Sequence, residues 1–206
     1  MAILYIETNF LMSIATGREA EAIMLLRDFS SSVQLVIPSI CYMESLSALE
    51  DELKRQKYFK EQLGRQISET KRDVTSEQVA SLSLHVEQSL IYYSNRIDEI
   101  QFRLREAIYM LSQNAEMIVL NTEILEASLN TTIIEKDPTD NLILHCILSH
   151  ARLRPTETKA FLSGNVKEFG KLPEVKYALE EVGIKYFSRT EDFLGWLQSQ
   201  SYSDRK

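Results

Sequence analysis

Lys136-Asp-Pro-Thr-Asp140-Asn-Leu-Ile-Leu-His-Cys146 places two acidic side chains at the start of an apolar helix. Asp137 followed by Pro138 predicts an N-cap with proline at the first helical position, and Asp140 then falls in the first turn. The residues behind them repeat at the spacing of one helical face, namely Leu142, Ile143, Cys146, Ile147 and Ala151. Taken alone, the two acids need no further function, because capping and the helix dipole account for both.

The composition of the whole chain limits the classes of protein to which it can belong. A length of 206 residues suits one domain, or one domain with an appendage, and 44% hydrophobic residues can form an ordinary core. The net charge of −7 argues against a protein that coats nucleic acid through bulk electrostatics. It does not exclude a nuclease, because carboxylates that hold a metal ion contribute to that charge.

The cysteines and the apolar runs predict a protein of a reducing compartment. Cys41 and Cys146 both lie among apolar residues, which indicates small buried side chains and not a disulfide framework. No apolar run reaches the roughly 20 residues that a membrane helix needs. The first six residues lack a basic leader and a cleavage site. We therefore expect a cytoplasmic protein without a membrane partner.

Short β-prone runs alternate with segments of helical periodicity. The predicted strands are residues 2–6, 33–37, 117–120, 159–163 and 184–187. This alternation predicts an α/β fold in which helices cover both faces of a parallel sheet of about five strands, a three-layer α/β/α arrangement. We expect a single domain over residues 1–200, followed by a polar tail at 201–206.

A long helical insertion separates the second predicted strand from the third. Thr75 with Gln78 is typical of a capping box, and it opens a pattern whose steps alternate between three and four residues, as in a coiled-coil seam. The pattern comprises Val79, Leu82, Val86, Leu90, Tyr93, Ile97, Ile100, Leu104, Ala107 and Leu111. Two long helices joined by a short break predict an antiparallel hairpin over residues 45–114. It is either a plain packing arm or a surface for a partner or for dimerisation.

Polar side chains occur near the ends of three predicted strands. Glu7 directly follows the first strand, Asn165 follows the fourth, and Glu44 is early in the helix after the second. Asp140 is in the first turn of the helix before the fourth strand. In open α/β sheets, ligands bind beyond the carboxyl ends of the strands, where the strand order reverses. With the order 3-2-1-4-5, strands one and four are neighbours there, and the four side chains converge in one cleft.

The oxygen atoms of these side chains suit a hard cation, Mg²⁺ or Mn²⁺. Such an ion can activate a water molecule and neutralise the charge that develops on a phosphodiester. Without metal, the carboxylates repel one another, so at least one should have a raised pKa. Thr8 has two possible roles: its hydroxyl orients Glu7, or it caps the first helix. Asn9 is the other candidate for that cap. Asn165 has a structural alternative, because it could supply a left-handed turn after Gly164.

Four stretches resemble the motifs of the PIN-domain family in their residues and in their order. They are Tyr5-Ile-Glu-Thr-Asn9, Ile37-Pro-Ser-Ile-Cys-Tyr-Met-Glu44, Asp140-Asn-Leu-Ile-Leu-His-Cys146 and Phe161-Leu-Ser-Gly-Asn-Val-Lys-Glu-Phe169. The resemblance covers about residues 1–50 and 115–200 and leaves out most of the helical hairpin. It implies the metal-dependent ribonuclease fold used by the toxins of many prokaryotic toxin–antitoxin pairs.

The resemblance also implies roles for individual residues. Glu7, Glu44 and Asp140 would be catalytic and would bind Mg²⁺ or Mn²⁺, with Asn165 and Glu168 completing the metal site. Glu7 stands where the family usually has Asp, and Glu168 stands where Asp is common, so each side chain is one methylene longer.

The implied activity is endonucleolytic hydrolysis of RNA. An antitoxin protein and a second copy of the chain, in a homodimer, are the expected partners. Two alternatives remain. One is a non-catalytic PIN-like interaction module with a degenerate metal site, and the other is a nuclease that acts on DNA or on a particular nucleic-acid structure.

Overall fold

A five-stranded parallel sheet forms the centre of the computed structural model, which describes residues 1–27, 32–73 and 75–203. The strands are β1 (Ala2–Ile6), β2 (Val33–Pro38), β3 (Glu116–Ile118), β4 (Lys159–Leu162) and β5 (Ile184–Phe187). Every neighbouring pair is parallel, and the order is β3-β2-β1-β4-β5. The predicted α/β class and strand order are therefore confirmed.

The central strand β1 is the most buried part of the sheet. All five of its residues are buried, as expected for a continuous apolar run covered on both faces. Tyr5 is in register with Val36 of β2 and with Phe161 of β4. Ile6 and Leu162 are also paired, so β1 and β4 end side by side. The residues that follow these two strands therefore begin at the same place on the edge of the sheet.

Eight α-helices surround the sheet in the described part of the chain. They are α1 (Thr8–Thr16), α2 (Ala20–Arg27), α3 (Ser39–Thr70), α4 (Glu77–Asn114), α5 (Thr122–Asn130), α6 (Pro138–Arg152), α7 (Pro173–Glu181) and α8 (Thr190–Ser203). Gly17 ends α1 with φ 68°, a left-handed conformation that glycine adopts without strain. None of these helices is long and apolar enough to cross a membrane.

The helices α3 and α4 form the predicted antiparallel hairpin. Near its tip Lys71 pairs with Glu87, and further along the rings of Phe59 and Tyr93 meet edge to face with centroids 5.1 Å apart. Toward its C-terminus α4 packs against the core through residues such as Leu104, which is fully buried. The helical hairpin begins at Ser39, the first residue of α3, and not at residue 45 as predicted. The extent of the single domain, residues 1–200, stays a prediction.

Two helix starts differ from the prediction. Glu7 caps α1, because its carboxylate accepts the N–H of Asn9, and neither Thr8 nor Asn9 serves as the cap. At the start of α4 the cap is Ser76, whose hydroxyl accepts the N–H of Val79. Thr75 cannot take this role because its N–H and hydroxyl both donate to Asp73 in the preceding turn.

The bounds of the third strand and the start of the last helix also differ from the prediction. The strand predicted at 117–120 begins one residue earlier and ends at Ile118, because Val119 and Leu120 lie exposed beyond the edge pairing with β2. The spacing of Ser188 and Glu191 predicts a capping box for the last helix. The helix begins at Thr190, whose N–H and hydroxyl donate to the distant Glu19.

Some predictions fall outside the described residues, and others differ from the structure. The predicted continuation of α2 to residue 29, most of the loop at 30–32, and the end of the polar tail at 204–206 lie outside the described residues. Helix α8 continues to Ser203, and so extends into the polar tail predicted at 201–206. A single π-helical turn, Val166–Gly170, follows β4 and was not predicted.

Candidate carboxylate site

The candidate site lies where β1 and β4 end side by side. Glu7 is the first residue after β1, and Ser163 is the first residue after β4. Helix α6 begins beside them, with Asp137 accepting the N–H groups of Thr139 and Asp140 at 2.9 and 3.1 Å. This cap confirms the predicted start of α6 and places Asp140 in its buried first turn.

Glu7 is a buried carboxylate whose two oxygens differ in their hydrogen bonding. Its exposed fraction is only 1%, and its Oε2 accepts the N–H of Asn9 at 2.7 Å. Its Oε1 has no hydrogen-bond partner among the described residues. Burial raises the pKa of Glu7 to about 7, Asn9 and Ser163 act to lower it, and the nearby acids Asp140 and Glu44 raise it further. The hydrogen bonds of Asn9 and Ser163 therefore compensate the charged form of Glu7 only in part.

Asp140 is in a similar electrostatic position. Its pKa is raised to about 7, first by burial and then by the carboxylates of Asp137, Glu44 and Glu168. The amide Nδ2 of Asn165 donates to Asp140 Oδ2 at 2.8 Å and acts in the opposite direction. The mutual effects on pKa show that the predicted carboxylates share one electrostatic environment.

Glu44 is held in this group by Thr8. The Thr8 hydroxyl donates to Glu44 Oε2, so it orients Glu44 and not Glu7 as predicted. The buried thiol of Cys41, one turn before Glu44, has a pKa raised by burial and by Glu7, and it stays protonated. The thiol therefore adds no negative charge to the site.

Asn165 and Glu168 are joined through the π-helical turn. Asn165 Oδ1 accepts the N–H of Glu168 at 3.4 Å, and the N–H of Asn165 donates to the Ser163 hydroxyl at 3.0 Å. The φ of Asn165 is −79°, so the left-handed turn considered as an alternative is wrong. Both ends of the Asn165 amide are therefore engaged by the protein. Lys167 lies 3.5 Å from Glu168 Oε1 on the outer side of the turn.

These side chains suit a hydrated hard cation better than a fully protein-coordinated one. Among the described residues, no group of three or more His, Cys, Asp or Glu converges closely enough to hold a metal ion by itself. Mg²⁺, however, usually keeps several waters and takes only one or two carboxylates. The Oε1 of Glu7, which has no hydrogen-bond partner among the described residues, supplies such a donor, and the main causes of the pKa shifts of Glu7 and Asp140 are burial, hydrogen bonds and neighbouring acids. A divalent cation would add the positive charge that these hydrogen bonds do not supply.

Ser163 belongs to this site although the sequence did not single it out. It is 1% exposed, it lowers the pKa of Glu7, and its hydroxyl accepts the N–H of Asn165. Its carbonyl accepts the hydroxyl of Tyr186 at 2.7 Å, which ties the loop to β5. Its place directly after β4, matching the place of Glu7 after β1, was the signal that could have identified it.

A second polar cluster lies at the other end of α6. The hydroxyl of Tyr5 and His150 Nδ1 are 2.9 Å apart, and His150 Nε2 is 3.0 Å from Glu116 Oε1. Arg154 also pairs with Glu116, at 2.9 Å, so it is not the solvated charge that its position at a helix end would suggest. This cluster joins β1, β3 and α6 and takes no part in the carboxylate site, because His150 is ten residues, about 15 Å of helix, from Asp140.

Comparison with known proteins gives one match. A sequence model described as PIN domain matches residues 4–169 of the chain. The matched segment contains all five predicted site residues and the whole helical hairpin. No curated protein and no solved structure matches the chain.

Proposed function

Because the chain belongs to the PIN-domain family, whose members are generally nucleases, we propose that it is a divalent-metal-dependent endoribonuclease. The observation that carries the proposal is the buried acidic group at the ends of β1 and β4. Glu7 has an oxygen without a hydrogen-bond partner among the described residues, and Asp140 has neighbours of the same charge. Buried carboxylates without a cationic partner are costly, and they are retained where a function needs them.

In this proposal Glu7 and Asp140 hold Mg²⁺ or Mn²⁺. The bound ion would activate a water and neutralise the charge that develops on the scissile RNA phosphodiester. Glu44 binds the same ion or positions the attacking water, and the Thr8 hydroxyl keeps its carboxylate in place. Asn165 orients Asp140, and Glu168 completes the acidic lining.

The family also suggests a biological setting for this activity. We propose a cytoplasmic toxin of a toxin–antitoxin pair, with RNA as its substrate, an antitoxin protein as its inhibitor, and a homodimer as its assembly. A gene for a small DNA-binding antitoxin next to this gene would support the setting. Binding of that antitoxin should then suppress cleavage of RNA.

The test is cleavage of single-stranded RNA with Mn²⁺ or Mg²⁺ by the purified chain and by Asp140→Asn. We expect the wild type to cleave and the variant to lose about 10²-fold or more of the rate, because it loses a charged ligand. Glu123→Gln is the matched control, since it also neutralises an acid in the first turn of a helix but in α5. Equal cleavage by wild type and Asp140→Asn, or no cleavage with any divalent ion, would overturn the proposal. A flap DNA substrate run in parallel separates RNA from DNA specificity.

The second candidate is a non-catalytic interaction module. Three observations favour it: no described group of three acids converges on one point, Glu44 is already bonded to Thr8, and both ends of the Asn165 amide are engaged. Isothermal titration calorimetry with Mn²⁺ distinguishes the two. The module predicts no heat of binding and no thermal stabilisation by metal, whereas the nuclease predicts both.

A further inference from the structure

A polar pocket of about 120 Å³ lies beside the carboxylate site. Its walls come from α1, from the residues just before α2, and from the ends of β4 and β5, so it lies at the edge of the sheet where α/β folds bind ligands. Phe10 and Leu162, which are both buried, form its apolar part. The other side chains are polar, namely those of Asn9, Ser13, Arg18, Glu19, Ser188 and Thr190. The chemistry proposed at the carboxylate site uses none of these polar side chains.

The pocket and the carboxylate site are direct neighbours. The N–H of Asn9 donates to Glu7 Oε2 at 2.7 Å, and Asn9 also lines the pocket. Gly164, a second lining residue, lies in the chain between Ser163 and Asn165 of the site. A Cβ atom on Gly164 would be 3.9 Å from the Cβ atom of Asn9, so the two residues lie close together. When a phosphodiester occupies the carboxylate site, the nucleoside next to it is therefore the group that reaches the pocket.

The volume of the pocket fits one six-membered ring. A cavity of roughly 150 Å³ in a protein interior holds a benzene ring. A pocket of about 120 Å³ with one side open to solvent therefore accommodates a pyrimidine base, whereas the fused rings of a purine exceed it. The polar side chains fit such a base, because the edge of a pyrimidine presents hydrogen-bond donors and acceptors.

Glu19 is the residue that distinguishes between the two pyrimidines. Its Oε2 accepts the N–H of Thr190 at 3.3 Å and also the Thr190 hydroxyl, which fixes the carboxylate at the start of α8. Both bonds fall on Oε2, so a donor that approaches Oε1 leaves them in place. A carboxylate accepts a hydrogen bond from the N4 amino group of cytosine. Uracil has an acceptor oxygen at the same position, which the carboxylate repels.

We propose that this pocket binds the cytosine base of the nucleotide next to the scissile phosphate, with Glu19 as the specificity-determining residue. The inference rests on the proposed function for RNA as the substrate. The amide of Asn9 supplies a donor for the base oxygen, and the exposed Arg18 supplies a cation for the phosphate. We expect cleavage beside cytidine to be about tenfold faster than beside uridine, near the lower end of the discrimination that one specific base contact gives.

Single-stranded RNA pentamers of adenosine with a central cytidine or uridine test this preference. Cleavage is measured with Mn²⁺, and binding is measured by fluorescence anisotropy in EDTA, where no metal ion contributes. Wild type should favour the cytidine pentamer in both assays. Glu19→Gln should remove or reverse the preference, because its amide can accept from Thr190 and donate to the O4 of uracil. Glu21→Gln is the matched control, since it neutralises an acid two residues further on that does not line the pocket.

Filling the pocket gives a second test. Ser13→Leu places a larger apolar side chain in the pocket and should remove the preference for cytidine, while thermal unfolding and Mn²⁺ affinity stay close to wild type. A wild type that cleaves both pentamers equally would overturn the cytosine pocket and leave the proposed nuclease intact. Preferential binding of the cytidine pentamer without cleavage by any divalent ion would support the pocket and overturn the nuclease. A wild type with no preference in either assay would also overturn the pocket.

Discussion

The side-chain amide of Asn165 donates a hydrogen bond to Asp140 Oδ2 at 2.8 Å, joining the turn after β4 to the start of α6. The other end of the same amide caps the π-helical turn through the N–H of Glu168. Asn165 thus holds the orientation of one acid and the backbone of another. Its contribution in the proposed enzyme is to position ligands and not to donate charge.

Replacing Asn165 should separate stability from metal binding. Asn165→Ala removes a cap, which costs about 1 kcal/mol, and leaves Asp140 without its orienting donor. Loss of such an orienting partner typically weakens metal affinity by about 10- to 100-fold. Asn121→Ala is the control, because Asn121 caps α5 in the same way but is not bonded to Asp140. Thermal unfolding should fall in both variants, whereas Mn²⁺ affinity by calorimetry should fall only in Asn165→Ala.

The metal-free protein should lose stability as the pH rises from about 5 to 7. The pKa values of Glu7 and Asp140 are raised from 4.5 and 3.8 to about 7, so the folded state binds protons that the unfolded state has released. The stabilisation is complete below the unfolded pKa values and is lost as the pH passes through about 7. His145, whose pKa is lowered by burial, acts in the opposite direction below its usual 6.5.

Urea unfolding at pH 5.5 and pH 7.5, with and without Mn²⁺, measures this effect. The metal should restore stability at pH 7.5 and have little effect at pH 5.5, because protons and the cation compete for the same oxygens. Stability that rises between these two pH values in the metal-free protein would contradict the assignment.

Glu7→Gln should stabilise the metal-free protein and prevent metal binding. The variant keeps an oxygen that can accept the N–H of Asn9, and it removes a buried negative charge that repels Asp140 and Glu44. A gain in stability on removing a functional charge is the expected trade-off at an active site. Urea unfolding at pH 7.5 should therefore show a higher midpoint than wild type, and calorimetry should show no heat with Mn²⁺. A variant less stable than wild type at this pH would show that the charge is already compensated.

Glu116→Gln should lower stability without changing metal binding. Glu116 accepts hydrogen bonds from Gln34 and Arg154 and meets His150, and its pKa is lowered first by the hydrogen bond with Arg154. Neutralising Glu116 weakens the contact between β3 and the C-terminal end of α6. The carboxylate site at the other end of α6 stays intact. The thermal midpoint should fall relative to Glu123→Gln, and the Mn²⁺ affinity should equal that of wild type. A loss of affinity would mean that the two ends of α6 are coupled.

Much of the fold was predictable because its signals are local. The apolar run of β1 and the Asp137-Pro138 start of α6 each depend on neighbouring residues alone, and the structure has both where they were predicted. The misplaced helix starts have a different origin. At Thr75 two local signals compete, because Asp73 only two residues away takes its hydrogen bonds, whereas Thr190 is satisfied by Glu19, a residue distant in sequence. Local patterns carry no information about such a distant donor or acceptor.

The candidate site, like the fold, was predictable from the sequence only in part. The sequence by itself determined which acids follow which strands, and with the strand order this placed Glu7, Glu44 and Asp140 in one environment. Only the tertiary structure decided how their oxygens are used: Thr8 bonds Glu44 and not Glu7, Asn165 bonds Asp140, and Glu7 Oε1 is left without a partner among the described residues. The reason is physical. The end of a strand is set by the local chain, but burial and hydrogen bonding depend on which segments pack together in space.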